Sequence, residues 1–185
     1  VGEDEPPHQP VASADAPLIA RSTLPPLPGF QTTPFFDVFE DWPNPDDPAQ
    51  KCTWKSYFSD LPFMAFWYGF AATHALSNFR TVLDFVIDCQ QDTLPTVSII
   101  DPPFGYADYH PSYDVRRGDK FIGLMIDALT YSDAWEDTAL VLIFDENGAF
   151  YDHVPPPSTF SNGNPVEGDL PFGFRAPAIV ISPYS

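Results

Sequence analysis

The sequence predicts an α/β protein with a mostly parallel sheet flanked by helices. Two apolar runs bounded by turn residues, 96–100 and 139–144, read as buried strands. Two stretches with apolar residues three and four apart, 76–90 and 115–129, read as amphipathic helices. A last β-branched run at 178–182 supplies another strand. Helices alternating with strands is the order that builds parallel sheets. The continuous run 139–144 reads as a central parallel strand buried on both faces.

The elements follow in chain order. Residues 1–32 form an acidic, proline-rich tail with few spaced apolar residues. Residues 33–40 suit a short helix, with Thr33 as N-cap and Pro34 at the first position. Residues 41–50 hold three prolines and must be loop. Residues 53–58 alternate as a strand, with Trp54 and Phe58 on one face. Eight aromatics lie between Trp54 and Phe70, which fits core packing or a lipid-facing patch. The helix over 76–90 carries Leu76, Phe79, Leu83 and Val86 as its stripe. Pro95 precedes strand 96–100, and 101–113 is loop. The helix over 115–129 is capped by Ser112 or Asp114, with Ile122, Met125, Ile126 and Leu129 as its stripe. Residues 145–175 form a long loop.

Composition narrows the function classes. Lys and Arg number 8 against 26 Asp and Glu, a formal net charge of −18. Such a chain repels phosphate backbones, which excludes general nucleic-acid binding. An anionic substrate then needs a metal ion or a few placed cations. Proline takes 23 of 185 positions, far above the usual ~5%, so long uninterrupted helices are not expected. No apolar run reaches the ~20 residues of a membrane-spanning helix, and no signal-peptide pattern is visible. Contact with a membrane surface stays open. Cys52 and Cys89 have no zinc spacing, and whether they pair is open. The sequence sets no oligomeric state.

The chemistry concentrates in 145–157, Asp-Glu-Asn-Gly-Ala-Phe-Tyr-Asp-His-Val-Pro-Pro-Pro. Asp145 and Glu146 follow an apolar strand directly, and ligands of open α/β sheets bind outside strand carboxyl ends. Two hard oxygen donors there suit a divalent cation. Gly148 permits a tight turn behind them, and Asp152 and His153 follow in the same loop. His110 follows the preceding strand and is expected at the same sheet edge. Carboxylates and two imidazoles thus converge from separate segments. A bare Asp-Glu pair also begins many solvated loops, and a single loop histidine is commonly a surface residue. The EF-hand pattern fails, since Ala149 and Phe150 occupy its fifth and sixth positions. Neither a GxSxG elbow nor a phosphate-binding GxxxxGK loop is present.

The segment 145–157 resembles a signature of the bacterial and plant phosphoesterase family, which includes non-specific phospholipases C and an acid phosphatase branch. The family's stretch reads Asp-Glu-His-Gly-Gly-Phe-Tyr-Asp-His-Val-Pro-Pro-Pro. His110-Pro111-Ser112 with Asp114, Val115 and Gly118 is similar to its His-Pro motif and following helix. Residues 132–138 with Trp135, Leu94-Pro95-Thr96-Val97-Ser98, Asp60-Leu61-Pro62, Arg175-Ala176-Pro177 and Ile181-Ser182-Pro183-Tyr184 fit as well. The resemblance covers roughly 33–185 and implies an alkaline-phosphatase-like fold, of which this chain looks like an incomplete, C-terminal portion.

It further implies metal-dependent hydrolysis of phosphoric ester bonds, with a Ser or Thr nucleophile attacking phosphorus. Asp145 and Glu146 would be metal ligands. His110 would contact the phosphoryl group or assist proton transfer, and His153 would be a second imidazole near the leaving group; both are catalytic and substrate-binding candidates. The substrate implied is a glycerophospholipid, as for a phospholipase C. The alternatives are an acid phosphatase acting on phosphomonoesters and a non-catalytic remnant binding a cation, phosphate or lipid headgroup. The cation's identity stays open among Ca²⁺, Mg²⁺, Mn²⁺ and Zn²⁺. An extracellular or periplasmic setting is the family expectation. Asn147 and Ala149 depart from the family's His and second Gly, and a Cβ at 149 strains any turn that needs positive φ. The family's Glu-Asn metal motif has no counterpart in 1–50, and the nucleophile is unassigned.

Overall fold

The computed structural model describes residues 29–30, 34–44, 47–156, 160–161, 164–165 and 173–185. The tail expected over 1–32 therefore lies outside the described residues apart from Gly29 and Phe30, as does Thr33. Helix α1 spans Phe35–Asp41. Pro34, not Thr33, is its N-cap, with φ −67° and ψ 149°, and no side chain caps it. The ring presets the φ from which the helix departs.

Strand β1, Trp54–Phe58, is the centre of a three-stranded parallel sheet in the order β2-β1-β3. β3, Val97–Asp101, pairs along its whole length, Trp54 opposite Val97 and Phe58 opposite Asp101. β2, Phe79–Thr81, pairs on the other side, Ser56 opposite Phe79. Between β1 and β2 run a 3₁₀ turn, Phe63–Phe66, and helix α2, Tyr68–His74.

Alternation along β1 sends its side chains into two cores. Trp54, 3% exposed, joins Phe36 and Met64 on one face, with Phe70 and Phe79 packed against them. Phe36 stacks on Trp54 at a centroid distance of 4.4 Å. Tyr57, fully buried, joins Phe85, Cys89, Met125 and Leu129 on the other face. Within the aromatic run, Trp54 and Tyr57 are core and Trp67 and Phe70 pack against it, while Phe63 is 46% exposed. Cys52 and Cys89 are both buried and free, so they do not pair.

The helix expected over 76–90 begins six residues later. α3 spans Val82–Gln91, capped reciprocally by Thr81 and Asp84. Residues 79–81 instead gain ladder hydrogen bonds from β1 and bury Phe79 against the first core. Leu76 and Leu83 of the expected stripe face outward, 95% and 68% exposed, while Phe79 and Val86 pack on different cores. Phe85 and Cys89, four apart, form the buried stripe.

Asp88 fastens α3 to β1. Lys55 Nζ and Tyr57 OH each donate to its Oδ2 at 2.6 Å, and Thr93 Oγ1 donates to Oδ1 at 2.9 Å. Burial works against its ionisation, but these three donors outweigh burial and hold the carboxyl below its ordinary value. Burial first, and then the Asp88 carboxylate, push the Tyr57 hydroxyl up.

Helix α4, Val115–Thr130, matches expectation, and Asp114 caps it by accepting from the Arg116 amide. Ser112 does not serve as the cap; it sits upstream at φ +84°. Met125 and Leu129 are the buried members of its stripe.

Strand β4, Leu140–Ile143, is the main departure. β5, Phe160–Ser161, and β6, Asn164–Pro165, form a short antiparallel hairpin inside the expected 145–175 loop. β7, Ala178–Ile181, then pairs antiparallel with β4 in a sheet of two. β4 is thus neither central nor parallel among the described residues. Leu140 packs on the second core, while Val141 and Ile143 are 50% and 69% exposed. A run of apolar residues shows that a strand can be buried on both faces; packing neighbours decide whether it is.

Candidate functional site

Two loops at strand ends carry the candidate residues. The first follows β3. Gly105, at φ +70°, turns the chain and donates its amide to Asp108 Oδ2 at 2.7 Å. Tyr109 then wedges between α4 and β4. Its hydroxyl donates to Asp119, and its ring meets the Phe144 ring edge-on, centroids 5.1 Å apart. The wedge explains Gly118: a Cβ there would lie 2.5 Å from the Tyr109 ring. Burial, then the Asp119 carboxylate, push the Tyr109 hydroxyl up to about 12.

His110 emerges exposed beyond this anchor. Its Nδ1 lies 3.1 Å from the Pro111 carbonyl oxygen. A carbonyl only accepts, so Nδ1 carries the proton and Nε2 is left outward. The His110 carbonyl accepts from the Tyr113 amide, and the two rings lie 5.8 Å apart.

The second loop follows β4. Asp145 and Glu146 are both exposed and have no hydrogen bond or ion pair among the described residues. A tight turn succeeds them, with Gly148 at φ +67° and Ala149 at φ +59°. Ala149 thus holds the left-handed conformation at the position where the sequence departs from glycine. Asn147 Nδ2 closes the turn by donating to the Phe150 carbonyl at 3.0 Å.

The two loops meet. A Cβ placed on Gly148 would come within 3.6 Å of Pro111 Cγ. The ring contact of Tyr109 with Phe144 joins the residues immediately before His110 and Asp145. His110 and the carboxylate pair therefore stand on adjoining loops but not at one sheet edge, because β3 ends in the parallel sheet and β4 in the two-stranded antiparallel one.

His153 is placed by a contact that sequence reading did not identify. Arg175 donates to Asp152 from Nε at 2.7 Å and Nη2 at 2.8 Å. Asp152 Oδ1 also accepts from the Val154 amide, and His153 Nδ1 faces it at 3.5 Å. The Arg175 guanidinium, with the Val154 amide, holds the Asp152 carboxyl down at about 2. Arg175 lies just before β7, and the Phe144 amide donates to the Pro177 carbonyl, so pairing of β4 with β7 brings both ends of this contact together. The sequence signal was available in the resemblance of Arg175-Ala176-Pro177, but only the strand pairing shows its partner.

The donor chemistry fits a hard cation in part. Asp145 and Glu146 offer carboxylate oxygens unclaimed by any described cation. Among the described residues, however, no group of three His, Cys, Asp or Glu side chains is gathered to hold a metal ion. His110 stands on the adjoining loop and His153 faces Asp152, and neither is gathered with the carboxylates. A surface concavity at α1, lined by Asp37, Glu40, Asp41, Lys51 and Cys52, contains none of these residues.

A helix-flanked parallel sheet defines an α/β protein, the fold class to which a phosphoesterase belongs. The phosphoesterase family model matches residues 36–185. The chain belongs to the phosphoesterase family. It is similar to non-specific phospholipase C6 of Arabidopsis thaliana, 32% identical over 143 residues, covering 69% of this chain and 28% of that protein. Non-specific phospholipase C1 of Arabidopsis thaliana is 32% identical over 143 residues, covering 69% of this chain and 27% of that protein. Phospholipase C B of Mycobacterium tuberculosis H37Rv is 38% identical over 120 residues, covering 56% of this chain and 23% of that protein. The chain spans about a quarter of the length of these curated relatives.

Proposed function

We propose that this chain carries part of a metal-dependent site that hydrolyses phosphoric ester bonds, with glycerophospholipids as substrates. The observation that supports the reading is the approach of the Gly148 turn to Pro111, which brings the loop bearing Asp145 and Glu146 up to the loop bearing His110. The names of the phospholipase C relatives support the substrate class.

Asp145 and Glu146 would hold the divalent cation, with further ligands from outside the described residues. When bound, such a cation offsets charge on phosphoryl oxygens in an otherwise acidic surface. His110, its Nδ1 hydrogen committed to Pro111, presents Nε2 to accept or return a proton at the phosphoryl group. His153 turns Nδ1 toward Asp152 and leaves Nε2 for the leaving group. Arg175 acts through Asp152 as a positioning residue. The nucleophile is unassigned. An extracellular or periplasmic setting belongs to the same proposal and rests on the resemblance alone.

The unassigned nucleophile and Ala149, held at φ +59° where the family has glycine, favour a second reading, in which the chain binds a cation or phosphate without turnover. Assay of the purified chain on p-nitrophenyl phosphorylcholine and p-nitrophenyl phosphate separates the two. Runs compare EDTA with added Mg²⁺, Mn²⁺, Ca²⁺ and Zn²⁺, with Asp145→Ala as control. Metal-dependent turnover abolished by Asp145→Ala supports the enzyme. Cation binding by calorimetry without turnover supports the second reading. Cation binding and turnover both unchanged in Asp145→Ala sink both.

A further inference from the structure

His74, the last residue of α2, takes no part in the candidate site, yet both of its ring nitrogens are engaged. Its side chain is only 19% exposed. Nε2 faces Glu40 Oε1 of α1 at 3.0 Å, and Nδ1 faces the Phe70 carbonyl oxygen at 2.8 Å. An ionised carboxylate and a carbonyl only accept, so both nitrogens carry hydrogen and the imidazole is a cation. Glu40 Oε1 also accepts from Trp54 Nε1 at 3.0 Å, and the His74 ring stacks on Phe70 at a centroid distance of 4.1 Å. The helix ends account for a cation at this place. α1 has no side-chain cap and no basic residue in its last turn, where Glu40 and Asp41 meet the negative end of its dipole. Lys51 answers Asp41 at 2.9 Å, and His74 answers Glu40. His74 is also the basic residue in the last turn of α2, so one ring serves the negative ends of two helices.

We propose that Glu40, His74 and Trp54 form a pH-operated clasp, which holds α1 on the sheet in acid and loosens it as the imidazole loses its second proton. The geometry contains both forms. Thr73 Oγ1 lies 2.8 Å from the Phe70 carbonyl oxygen and 2.8 Å from His74 Nδ1. In the charged form the hydroxyl donates to the Phe70 carbonyl. In the neutral form it turns and donates to Nδ1, which no longer donates to Phe70. Nε2 keeps its hydrogen toward Glu40, so a charge-assisted hydrogen bond becomes an ordinary, weaker one. The clasp is therefore tightest with the ring charged and weakens as pH rises. No neighbour replaces the lost charge. Among the described residues, Glu40 is the charged group within ion-pair distance of His74. On α1, Asp37 lies one turn before Glu40, and Asp41 is bound by Lys51. β1 contributes the uncharged Trp54, and on β2 Arg80 donates to the Leu76 and Phe79 carbonyls. The consequence follows from what α1 covers. Its Phe36 is fully buried and stacks on Trp54, so loosening α1 uncovers the first core. The inference is independent of the proposed function.

Proton–nitrogen NMR of the full chain tests it between about pH 5 and pH 8, the range in which an imidazole changes charge. The reporter is the Trp54 indole N–H, which donates to Glu40 and is assigned through its Overhauser contacts with the stacked Phe36 ring. Its resonance is expected to move with pH in one step. Protection of the α1 amides against hydrogen exchange, corrected for intrinsic rates, should fall about fivefold from the acid to the alkaline end, the difference between a charge-assisted and an ordinary hydrogen bond. His74→Gln should abolish the step in the indole resonance. Glu40→Gln, which keeps an acceptor for the indole, should hold α1 at the low protection across the whole range. Both changes are neutral in size and at partly exposed side chains, and far-UV circular dichroism checks their folding. The inference is overturned by an indole resonance that ignores pH, by a step that persists in His74→Gln, or by α1 protection that is equal at both ends in the wild-type chain. It is also overturned if Glu40→Gln retains the wild-type pH dependence of α1.

Discussion

Replacing Gly118 by Ala opposes two effects whose magnitudes can be compared. Gly118 is a buried position inside α4, where alanine is the better helix former by about 1 kcal/mol. Its new Cβ would lie 2.5 Å from Tyr109 Cε2 and 2.8 Å from Cδ2, against ordinary contact at 3.4 Å or more. The Tyr109 ring must then retreat by about 0.9 Å, the difference between 3.4 Å and 2.5 Å. It cannot do so freely, because its hydroxyl is bound to Asp119 and its edge to Phe144. Losing the hydrogen bond costs about 1 kcal/mol at an exposed site, and the ring contact about 1 kcal/mol more. Residual crowding adds about 1 kcal/mol. The net expectation is a loss of about 2 kcal/mol, measured by urea denaturation at neutral pH. Combining Gly118→Ala with Tyr109→Ala removes the clash, so the pair should show a favourable coupling of about 1–2 kcal/mol. The same retreat should weaken the nuclear Overhauser contact between Pro111 and Gly148 protons, since Tyr109 anchors the His110 loop. A neutral or stabilising Gly118→Ala would refute the wedge and its role in bringing the two loops together.

Two further expectations concern charge. Asp101, at the carboxyl end of β3, is 8% exposed and accepts the Phe63 amide at 2.9 Å; burial, and secondarily the Asp60 carboxylate, raise its carboxyl to about 6 against the restraint of that hydrogen bond. A raised carboxyl favours the neutral form, so its stabilising contribution is full below about pH 4 and is lost as pH rises through about 6. Asp101→Asn should therefore be nearly neutral at pH 4 and stabilising by up to about 3 kcal/mol at pH 7, from a shift of about two pH units; a substitution equally costly at both values refutes the assignment. For Asp152 the sign reverses, because Arg175 lowers its carboxyl to about 2. Its contribution is present above the unfolded value of about 4 and lost as pH falls toward 2, and Arg175→Ala should return the Asp152 titration seen by carbon NMR toward about 4. An unmoved titration would show that Arg175 does not hold the loop bearing His153.

Much of the local structure was legible in the residues themselves. The spacing of Met125 and Leu129 with Asp114 before Val115 specified α4, because a buried stripe and a cap are both local patterns. Asp145 and Glu146 after an apolar run marked the polar strand end, and Gly148 marked a tight turn, whereas the positive φ of Ala149 runs against its residue type. The family resemblance was likewise carried by an ordered string of residues. Tertiary structure decided the rest. Whether 79–81 were helix or strand depended on β1 lying alongside, a partner more than twenty residues away whose ladder outweighed a helical spacing. The apolar residues of β4 are equally compatible with one covered face or two, and antiparallel pairing with β7 settled the number. Arg175 had no visible partner until that pairing set it against Asp152. Only exposure in the folded chain separated the aromatics of the core from those left at the surface, since an isolated Phe carries no mark of which surface it will meet.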